Sequence, residues 1–242
     1  MRRRRILNVP MPAELDVHGG LSYSLWLPDG GNVPHGGILI LHGAGSCKES
    51  HHDFARAARA AGFAALAFDQ RGHGASEGVL DDFALEDVAM MAELLRTRLS
   101  GDRPVVLRGS SMGGLFAILA APLANAGAVV AICPASASGL RRLLSSQELS
   151  FKADVPKLDA LLAKSDAGAT VAALEVPLLL LHAEGDEQVP VEHSRELAQQ
   201  MNITRSRLIA VPGGHHRSIQ HDGELQAVSL RFIEQVVGVK WR

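Results

Sequence analysis

The sequence predicts an α/β fold in which a mostly parallel central sheet is covered by helices on both faces. From Gly36 to the C-terminus, short apolar runs alternate with helical patterns, as in sheets whose strands are joined by crossover helices. The runs are continuous, which is typical of parallel strands buried on both sides. The chain has 242 residues and no internal repeat, so we expect one domain over residues 1–242.

The predicted elements follow one another in a regular order. Residues 21–27 alternate apolar and polar side chains, which predicts a half-exposed antiparallel strand, and a turn at residues 29–32 follows. Buried strands are predicted at residues 37–41, 64–68, 104–107, 128–133, 177–181 and 207–211. Helices are predicted at residues 53–61, 85–99, 112–124, 191–201 and 224–237.

Residues 137–173 interrupt this order because they contain no predicted strand. Their regular patterns are short and helical, at residues 140–149 and 156–163. An insertion at this point lies above the carboxyl ends of the strands, where open α/β sheets bind ligands. We therefore expect a small helical cap over a binding site. The candidate lining residues of the cap are Leu143, Leu144, Phe151, Leu158 and Leu161.

Composition and charge argue against several classes of partner. The formal net charge of −2 gives no reason to expect nucleic acid or an acidic membrane surface. No apolar stretch approaches the length of a membrane span, and the basic run at residues 2–5 lacks the apolar region of a signal peptide. A cytoplasmic protein with Cys47 and Cys133 as reduced thiols is therefore expected. A monomer and a homodimer both stay open.

The central chemical motif is Gly109-Ser110-Ser111-Met112-Gly113-Gly114, which lies between a predicted strand and a helical pattern. G-x-S-x-G in this context is typical of a nucleophile elbow, a tight turn that presents a serine hydroxyl above the sheet. The N-terminus of the following helix favours developing negative charge. Ser111 occupies the central position of the pattern and Ser110 the preceding one. We therefore predict Ser111 as a nucleophile.

A serine nucleophile requires a base, and the base requires an acid that orients it. Gly185-Asp186 follows one downstream strand, and Gly213-Gly214-His215-His216 follows the last strand. The chain order serine, acid, histidine is the order that accompanies a nucleophile elbow. We predict Asp186 as the acid because it lies at the turn before the next helix. Only one of the adjacent histidines can face Ser111; we favour His216 and keep His215 as the alternative.

An oxyanion hole would complete this arrangement. The strand at residues 37–41 leads into His42-Gly43-Ala44-Gly45-Ser46, whose small residues let backbone amides approach a substrate carbonyl. The predicted donors are the amides of Ala44 and Met112. His42 is expected to orient the loop rather than to act as a second base. The other histidines show no ligand-like spacing, so no metal is predicted, and Arg108 is expected to pair with a carboxylate.

Together these motifs resemble the α/β-hydrolase superfamily, and more narrowly its branch of monoacylglycerol-lipase-like and serine-aminopeptidase-like esterases. The resemblance extends from Gly36 to the C-terminus and also includes Asp69-Gln70-Arg71-Gly72-His73-Gly74, to which it assigns a structural role. Two departures matter. The family usually has a small residue where this chain has His215, which supports His216 as the base. The cap is shorter than in the long-chain lipases of the branch, which argues against a deep fatty-acyl tunnel.

The triad and the resemblance imply acyl transfer from a small-molecule carboxylic ester, without a cofactor. A short to medium acyl chain is expected, because aromatic residues make up only 4% of the chain and few can build a stacking pocket. A thioesterase, a small-peptide hydrolase and a perhydrolase remain alternatives on the same triad. From a different class, the same fold can serve as a ligand-binding protein without turnover.

Overall fold

A computed structural model describes residues 9–146 and 148–238, and its centre is one eight-stranded sheet. The strands are β1 (Glu14–His18), β2 (Leu21–Trp26), β3 (Gly37–Leu41), β4 (Ala64–Phe68), β5 (Val105–Ser110), β6 (Ala128–Ile132), β7 (Leu178–Ala183) and β8 (Arg207–Val211). Their order in the sheet is β1-β2-β4-β3-β5-β6-β7-β8. Strands β3 to β8 are parallel, and β2 joins β4 antiparallel. The basic run at residues 2–5 lies outside the described residues.

Helices cover both faces of this sheet. They are α1 (His52–Ala60), α2 (Ala84–Arg96), α3 (Met112–Ala120), α4 (Ala137–Ser145), α5 (Val155–Lys164), α6 (Ala167–Ala173), α7 (Val191–Gln199), α8 (Ser218–His221) and α9 (Gly223–Val237). Met91 of α2 and Phe116 of α3 belong to one buried apolar cluster. Phe54 of α1 and Phe232 of α9 belong to a second cluster on the opposite face. The prediction of a mostly parallel sheet between two helical layers is therefore confirmed.

Strand β2 is antiparallel as predicted, but the expectation that it is half exposed is wrong. All six of its residues are buried, including Ser22 and Ser24. Other parts of the chain contact these polar positions: Ser24 hydrogen-bonds to His52 of α1, and the backbone amide of Ser22 donates to the hydroxyl of Ser76. Strand β1, which the sequence did not predict, pairs along the outer edge of β2. The alternating pattern thus marks small polar residues that are buried rather than an exposed face, and the hydroxyl of Ser24 has a hydrogen-bond partner there.

The ends of β5 and α3 differ from the prediction for identifiable reasons. Strand β5 continues beyond the predicted end at residue 107, because Gly109 pairs with β3 and Ser110 pairs with β6. Ser111 is thus the first residue after the strand. Helix α3 ends at Ala120 instead of residue 124, since Pro122 lacks the N–H that would continue the helical hydrogen bonds. Helices α6 and α8 were not predicted as separate elements.

The cap, residues 137–173, consists of α4, α5 and α6 and contains no strand among its described residues. Its base is fastened to the loop after β4 by backbone hydrogen bonds. The amide of Lys152 donates to the carbonyl of Gly72 over 3.0 Å, and the amide of Leu80 donates to the carbonyl of Lys152 over 2.9 Å. Within the described part of the chain, no helix is both long and apolar enough to cross a membrane.

Candidate active site

Ser111 lies in the sharp turn between β5 and α3, in a backbone conformation that few residues other than glycine adopt. Its φ is 53° and its ψ is −121°, a strained combination that persists only where the surroundings hold it. The amide of Ser111 donates to the carbonyl of Ile132 over 2.9 Å. The carbonyl of Ser111 accepts hydrogen bonds from the amides of Gly114, Leu115 and Ala135. These four bonds fix the serine at the N-terminus of α3.

The two glycines of the elbow are required by close packing. A Cβ at Gly109 would lie 2.0 Å from the carbonyl oxygen of Gly113. A Cβ at Gly113 would lie 2.5 Å from the carbonyl oxygens of Leu41 and His42. Any side chain at either position would therefore push α3 away from the sheet and displace Ser111.

Asp186 and His216 form a hydrogen-bonded pair after β7 and β8. The Nδ1–H of His216 donates to Asp186 Oδ2 over 2.7 Å, while Asp186 Oδ1 accepts from the amides of Gln188 and Val189 at 2.8 and 2.9 Å. Burial acts to raise the pKa of Asp186, but these amides and His216 outweigh it and lower the pKa. Asp186 is thus a carboxylate at neutral pH. Because it binds Nδ1 of His216, the Nε2 atom is the one that can accept a proton from a nucleophile.

The adjacent histidines differ in their surroundings. His216 is 8% exposed and lines the same cavity as Ser111. His215 is exposed, and its backbone amide and carbonyl are engaged with the hydroxyl of Ser218. This placement agrees with His216 as the predicted base, although the assignment itself stays a prediction.

His182, which the sequence analysis left among the scattered histidines, supports the loop that carries Asp186. It is fully buried, and its Nε2–H donates to the carbonyl of Val189 over 2.9 Å. The same nitrogen lies 3.4 Å from Asp186 Oδ2, and the hydroxyl of the buried Ser194 lies 2.7 Å from Nδ1. Burial lowers the pKa of His182, so the ring is neutral. In the sequence, the one indication of this role is that His182 lies at the end of a strand.

The loop after β3 passes directly beside Ser111. A Cβ at Gly43 would lie 3.2 Å from the Cβ of Ser111, and Ala44 lines the cavity next to it. Nδ1–H of His42 donates to the carbonyl of Gly43 over 2.8 Å, and Nε2 accepts from the amide of Gln70 over 3.0 Å. Burial lowers the pKa of His42 to about 4. Both ring nitrogens are thus occupied, which fits the predicted role in orienting the loop.

A buried ion pair that the sequence did not predict ties this loop to the loop after β4. Asp69 Oδ2 accepts from Lys48 Nζ over 2.8 Å, and Oδ1 accepts from the amide of Lys48 over 2.7 Å. Lys48 is 6% exposed and Asp69 is fully buried. The pair therefore holds the loop after β3 against the motif of residues 69–74. Arg71 of that motif pairs separately with Asp87 over 2.7 Å.

A cavity of about 430 Å³ lies above Ser111, within the size range of small-molecule sites. Of the candidate cap residues, Leu143 and Phe151 line it. Leu144 does not, and the prediction for it is wrong, because adjacent helical residues point about 100° apart and Leu144 is packed into the core at 4% exposure. Leu158 and Leu161 also lie away from the lining, against the same core.

Within residues 9–146 and 148–238, Arg108 makes no ion pair with a carboxylate, contrary to the expectation. It is 1% exposed on β5, and its guanidinium carbon lies 3.7 Å from the centre of the Phe54 ring. Its one hydrogen bond among the described residues goes to the carbonyl of Gln220 over 3.4 Å, and Nε and Nη1 have no partner there. Burial lowers the pKa of Arg108 to about 9. The cation is held by an aromatic face rather than by an opposite charge.

We expect Arg108→Met to raise the free energy of unfolding at neutral pH, by about 1–4 kcal/mol. Methionine fills a similar volume without a buried charge. The pKa of Arg108 in the folded protein lies below the ordinary arginine value. The cost of burying its positive charge is therefore fully present below about pH 9, and it is relieved as the pH rises above that value. The gain measured by calorimetry should therefore be larger at pH 7 than at pH 10. Arg108→Ala, which leaves a cavity, is the control and should be less stable than Arg108→Met. A melting temperature below wild type for Arg108→Met would contradict this account.

One group of side chains among the described residues has the spacing of a metal-ligand set. The potential ligand atoms of Cys133, Asp186 and His216 lie within 4.8 Å of one another. Asp186 and His216 are already bonded to each other, and burial raises the pKa of the Cys133 thiol to about 12. The hydrogen bond between His216 and Asp186 thus already occupies one potential ligand atom of each residue. The closeness of the three side chains is accounted for without a metal ion.

Comparison with known proteins places this chain in a family. The family model described as serine aminopeptidase, S33, matches residues 32–158. The monoacylglycerol lipase of Mycolicibacterium smegmatis is 30% identical, over 80% of this chain and 85% of that protein.

Solved structures match the fold at lower identity. The monoacylglycerol lipase of Paleococcus ferrophilus aligns with a TM-score of 0.70 at 20% identity, over 90% of this chain and 98% of that one. Est1E of Butyrivibrio proteoclasticus aligns with a TM-score of 0.73 at 19% identity, over 95% of this chain and 100% of that one. The chain therefore belongs to the serine aminopeptidase (S33) family of α/β-hydrolases, in the esterase and lipase branch that includes monoacylglycerol lipases.

Proposed function

We propose that the protein hydrolyses carboxylic esters of short to medium acyl chain, with Ser111, His216 and Asp186 as a catalytic triad. One observation carries the proposal. Ser111, held in a strained turn at a helix N-terminus, and His216, bonded to a buried carboxylate, line the same cavity. This is the combination of nucleophile, base and orienting acid that acyl transfer requires.

In the proposed reaction, Nε2 of His216 removes the proton of Ser111 while the serine oxygen attacks the ester carbonyl. The amides of Ala44 and Met112 would hold the resulting oxyanion, at the N-terminus of α3 where its dipole is favourable. His216 then returns the proton to the leaving alcohol, and the acyl group stays on Ser111. Water, activated by the same histidine, releases the acid. Asp186 keeps Nδ1 protonated throughout and stabilises the charged ring.

The cavity lining supports an acyl group of modest length. Its apolar side is formed by Leu140, Leu143, Leu149, Phe151 and Val189, so one wall comes from the cap and the other from the loop after β7. Phe151 is held flat against His73, with ring centres 4.4 Å apart and planes 16° apart. The wall is therefore aliphatic with one fixed aromatic ring, which suits a hydrocarbon chain better than a stacked aromatic acid.

The substrate class is tested with p-nitrophenyl esters of increasing acyl length, beside acyl thioesters and aminoacyl amides. We expect the highest kcat/KM for the esters, with an optimum at short to medium chains and a decline for long ones. A preference for the thioester or the amide would replace the esterase assignment, and a single stoichiometric release of nitrophenol would indicate ligand binding without turnover.

The adjacent residues Leu143 and Leu144 offer a matched pair for testing the cap wall. Leu143→Ala should move the chain-length optimum toward longer acyl groups, because it enlarges the lining of the cavity. Leu144→Ala should leave the optimum unchanged but lower stability by about 2–5 kcal/mol, because the side chain is buried in the core. The ester panel and thermal unfolding measure the two effects. An identical chain-length profile for wild type and Leu143→Ala would show that the acyl chain binds elsewhere.

A further inference from the structure

A polar groove opens beside the active-site cavity and shares part of its wall. The residues that line both are Ser46, Leu149, Ser150, Phe151 and Arg217. From this shared wall the groove continues past Ser50, His73 and Lys152. The cap and the loop after β3 meet closely here, since a Cβ at Gly45 would lie 2.0 Å from the hydroxyl of Ser150. A substrate bound at Ser111 can therefore extend one of its two parts into the groove.

The described lining of the groove contains cations and hydroxyls but no carboxylate. Lys152 and Arg217 are exposed, and neither makes an ion pair with a carboxylate in the part of the chain that the structure describes. The hydroxyls of Ser46 and Ser50, which also line the groove, lie 3.0 Å apart. The groove thus offers two cations and several hydrogen-bond donors to a ligand, with no opposite charge to compete for them.

The cavity adds to this positive charge. Arg142 of α4 and Arg217 both line it, and Glu148 is the one acid on its described lining. Cavity and groove together carry the cations Arg142, Lys152 and Arg217 against Glu148, although the whole chain has a net charge of −2. A cleft lined by one sign of charge attracts ligands of the opposite sign. A neutral substrate would make no use of these cations.

We propose that the groove binds an anionic group, a phosphate or a carboxylate, on the alcohol part of the ester. This inference rests on the proposed function, because it assumes an ester bound at Ser111. The apolar wall around Leu143 suits the hydrocarbon of the acyl part, which leaves the polar groove for the alcohol part. The guanidinium of Arg217 can hold two oxygens of such an anion, and the ammonium of Lys152 adds a point charge.

The test uses three esters that share a butyryl group: monobutyryl glycerol, monobutyryl glycerol 3-phosphate and monobutyryl glycerate. All three form the same acyl-enzyme, so their kcat/KM values differ only through binding and acylation. We expect one or both anionic esters to exceed the neutral ester by about tenfold at low ionic strength, and the preference to shrink with added salt as the charges are screened. The phosphate and carboxylate esters show which anion the groove prefers.

The variants Lys152→Gln and Arg217→Gln should each lower the ratio of kcat/KM for the anionic ester to kcat/KM for the neutral ester. The double variant should bring this ratio close to the value expected for a groove without charge. Both kcat/KM values of a ratio come from the same variant, so a change in the chemical step affects both values and cancels. Lys164→Gln removes an equal charge at the end of α5, which lines neither cavity nor groove, and should keep the wild-type ratio. The backbone of Lys152, which anchors the cap, is unchanged by the substitution.

Two results separate the possible failures. Hydrolysis of the neutral ester without an anionic preference, or a preference that survives the double substitution, would overturn this inference and leave the proposed function standing. Absence of butyrate release from all three esters would overturn both.

Discussion

Ser111→Ala should lower kcat/KM for an activated ester by on the order of 10^4-fold or more, while the protein keeps its fold. The reason is geometric: the turn places a single hydroxyl at the N-terminus of α3, and four backbone hydrogen bonds hold the residue in its strained conformation. Alanine accepts the same backbone at similar cost but supplies no nucleophile. Steady-state kinetics, with circular dichroism to verify folding, measure the loss.

Ser110 provides the matched control, because it also lines the cavity but ends β5 in regular strand geometry. A fluorophosphonate probe that reacts with activated serines should label wild type and Ser110→Ala, but not Ser111→Ala. Labelling that persists in Ser111→Ala and disappears in Ser110→Ala would move the nucleophile to Ser110.

The parts of the fold that sequence predicted well are those in which local pattern and tertiary environment agree. The continuous apolar runs from Gly37 onward became parallel strands, because helices on both faces make every position of such a strand a buried one. The glycines around Ser111 and the order of Asp186 and His216 could be predicted for a similar reason. A sharp turn after a strand restricts which residues can occupy it, so the local sequence indicates the turn.

The features that sequence missed depend on contacts between distant parts of the chain. The pair of Lys48 and Asp69 joins residues 21 positions apart, and neither residue shows in its local pattern that it will be buried. Arg108 was expected to find a carboxylate, but its partner is the ring of Phe54. Leu144 was assigned to the cavity because short helical patterns do not reveal which of two adjacent leucines faces the core. His182 acquires its supporting position only when the loop after β7 folds back on it.

His216→Ala should be nearly inactive, with kcat/KM reduced by on the order of 10^4-fold or more, whereas His215→Ala should keep activity within a few-fold of wild type. Adjacent residues in a turn project in different directions, and only the ring of His216 reaches Asp186, over 2.7 Å. Its Nδ1–H is held by the carboxylate, so Nε2 is the nitrogen available to accept the proton of Ser111. His215 is exposed, and its link to the turn runs through backbone atoms that alanine also has.

The two single variants are compared on one activated ester under identical conditions, with thermal unfolding as a measure of folding. Both substitutions remove an imidazole ring, and the two positions are adjacent. A difference in kcat/KM between the variants therefore comes from where the ring lies and not from which group is lost. Alanine at 215 can shift the turn slightly and cost a few-fold through the placement of His216. An inactive His215→Ala beside an active His216→Ala would mean that the turn presents the ring of His215 to Ser111, which would contradict the pairing of His216 with Asp186. Activity in both variants would leave Ser111 without a histidine base, and the triad mechanism would be wrong.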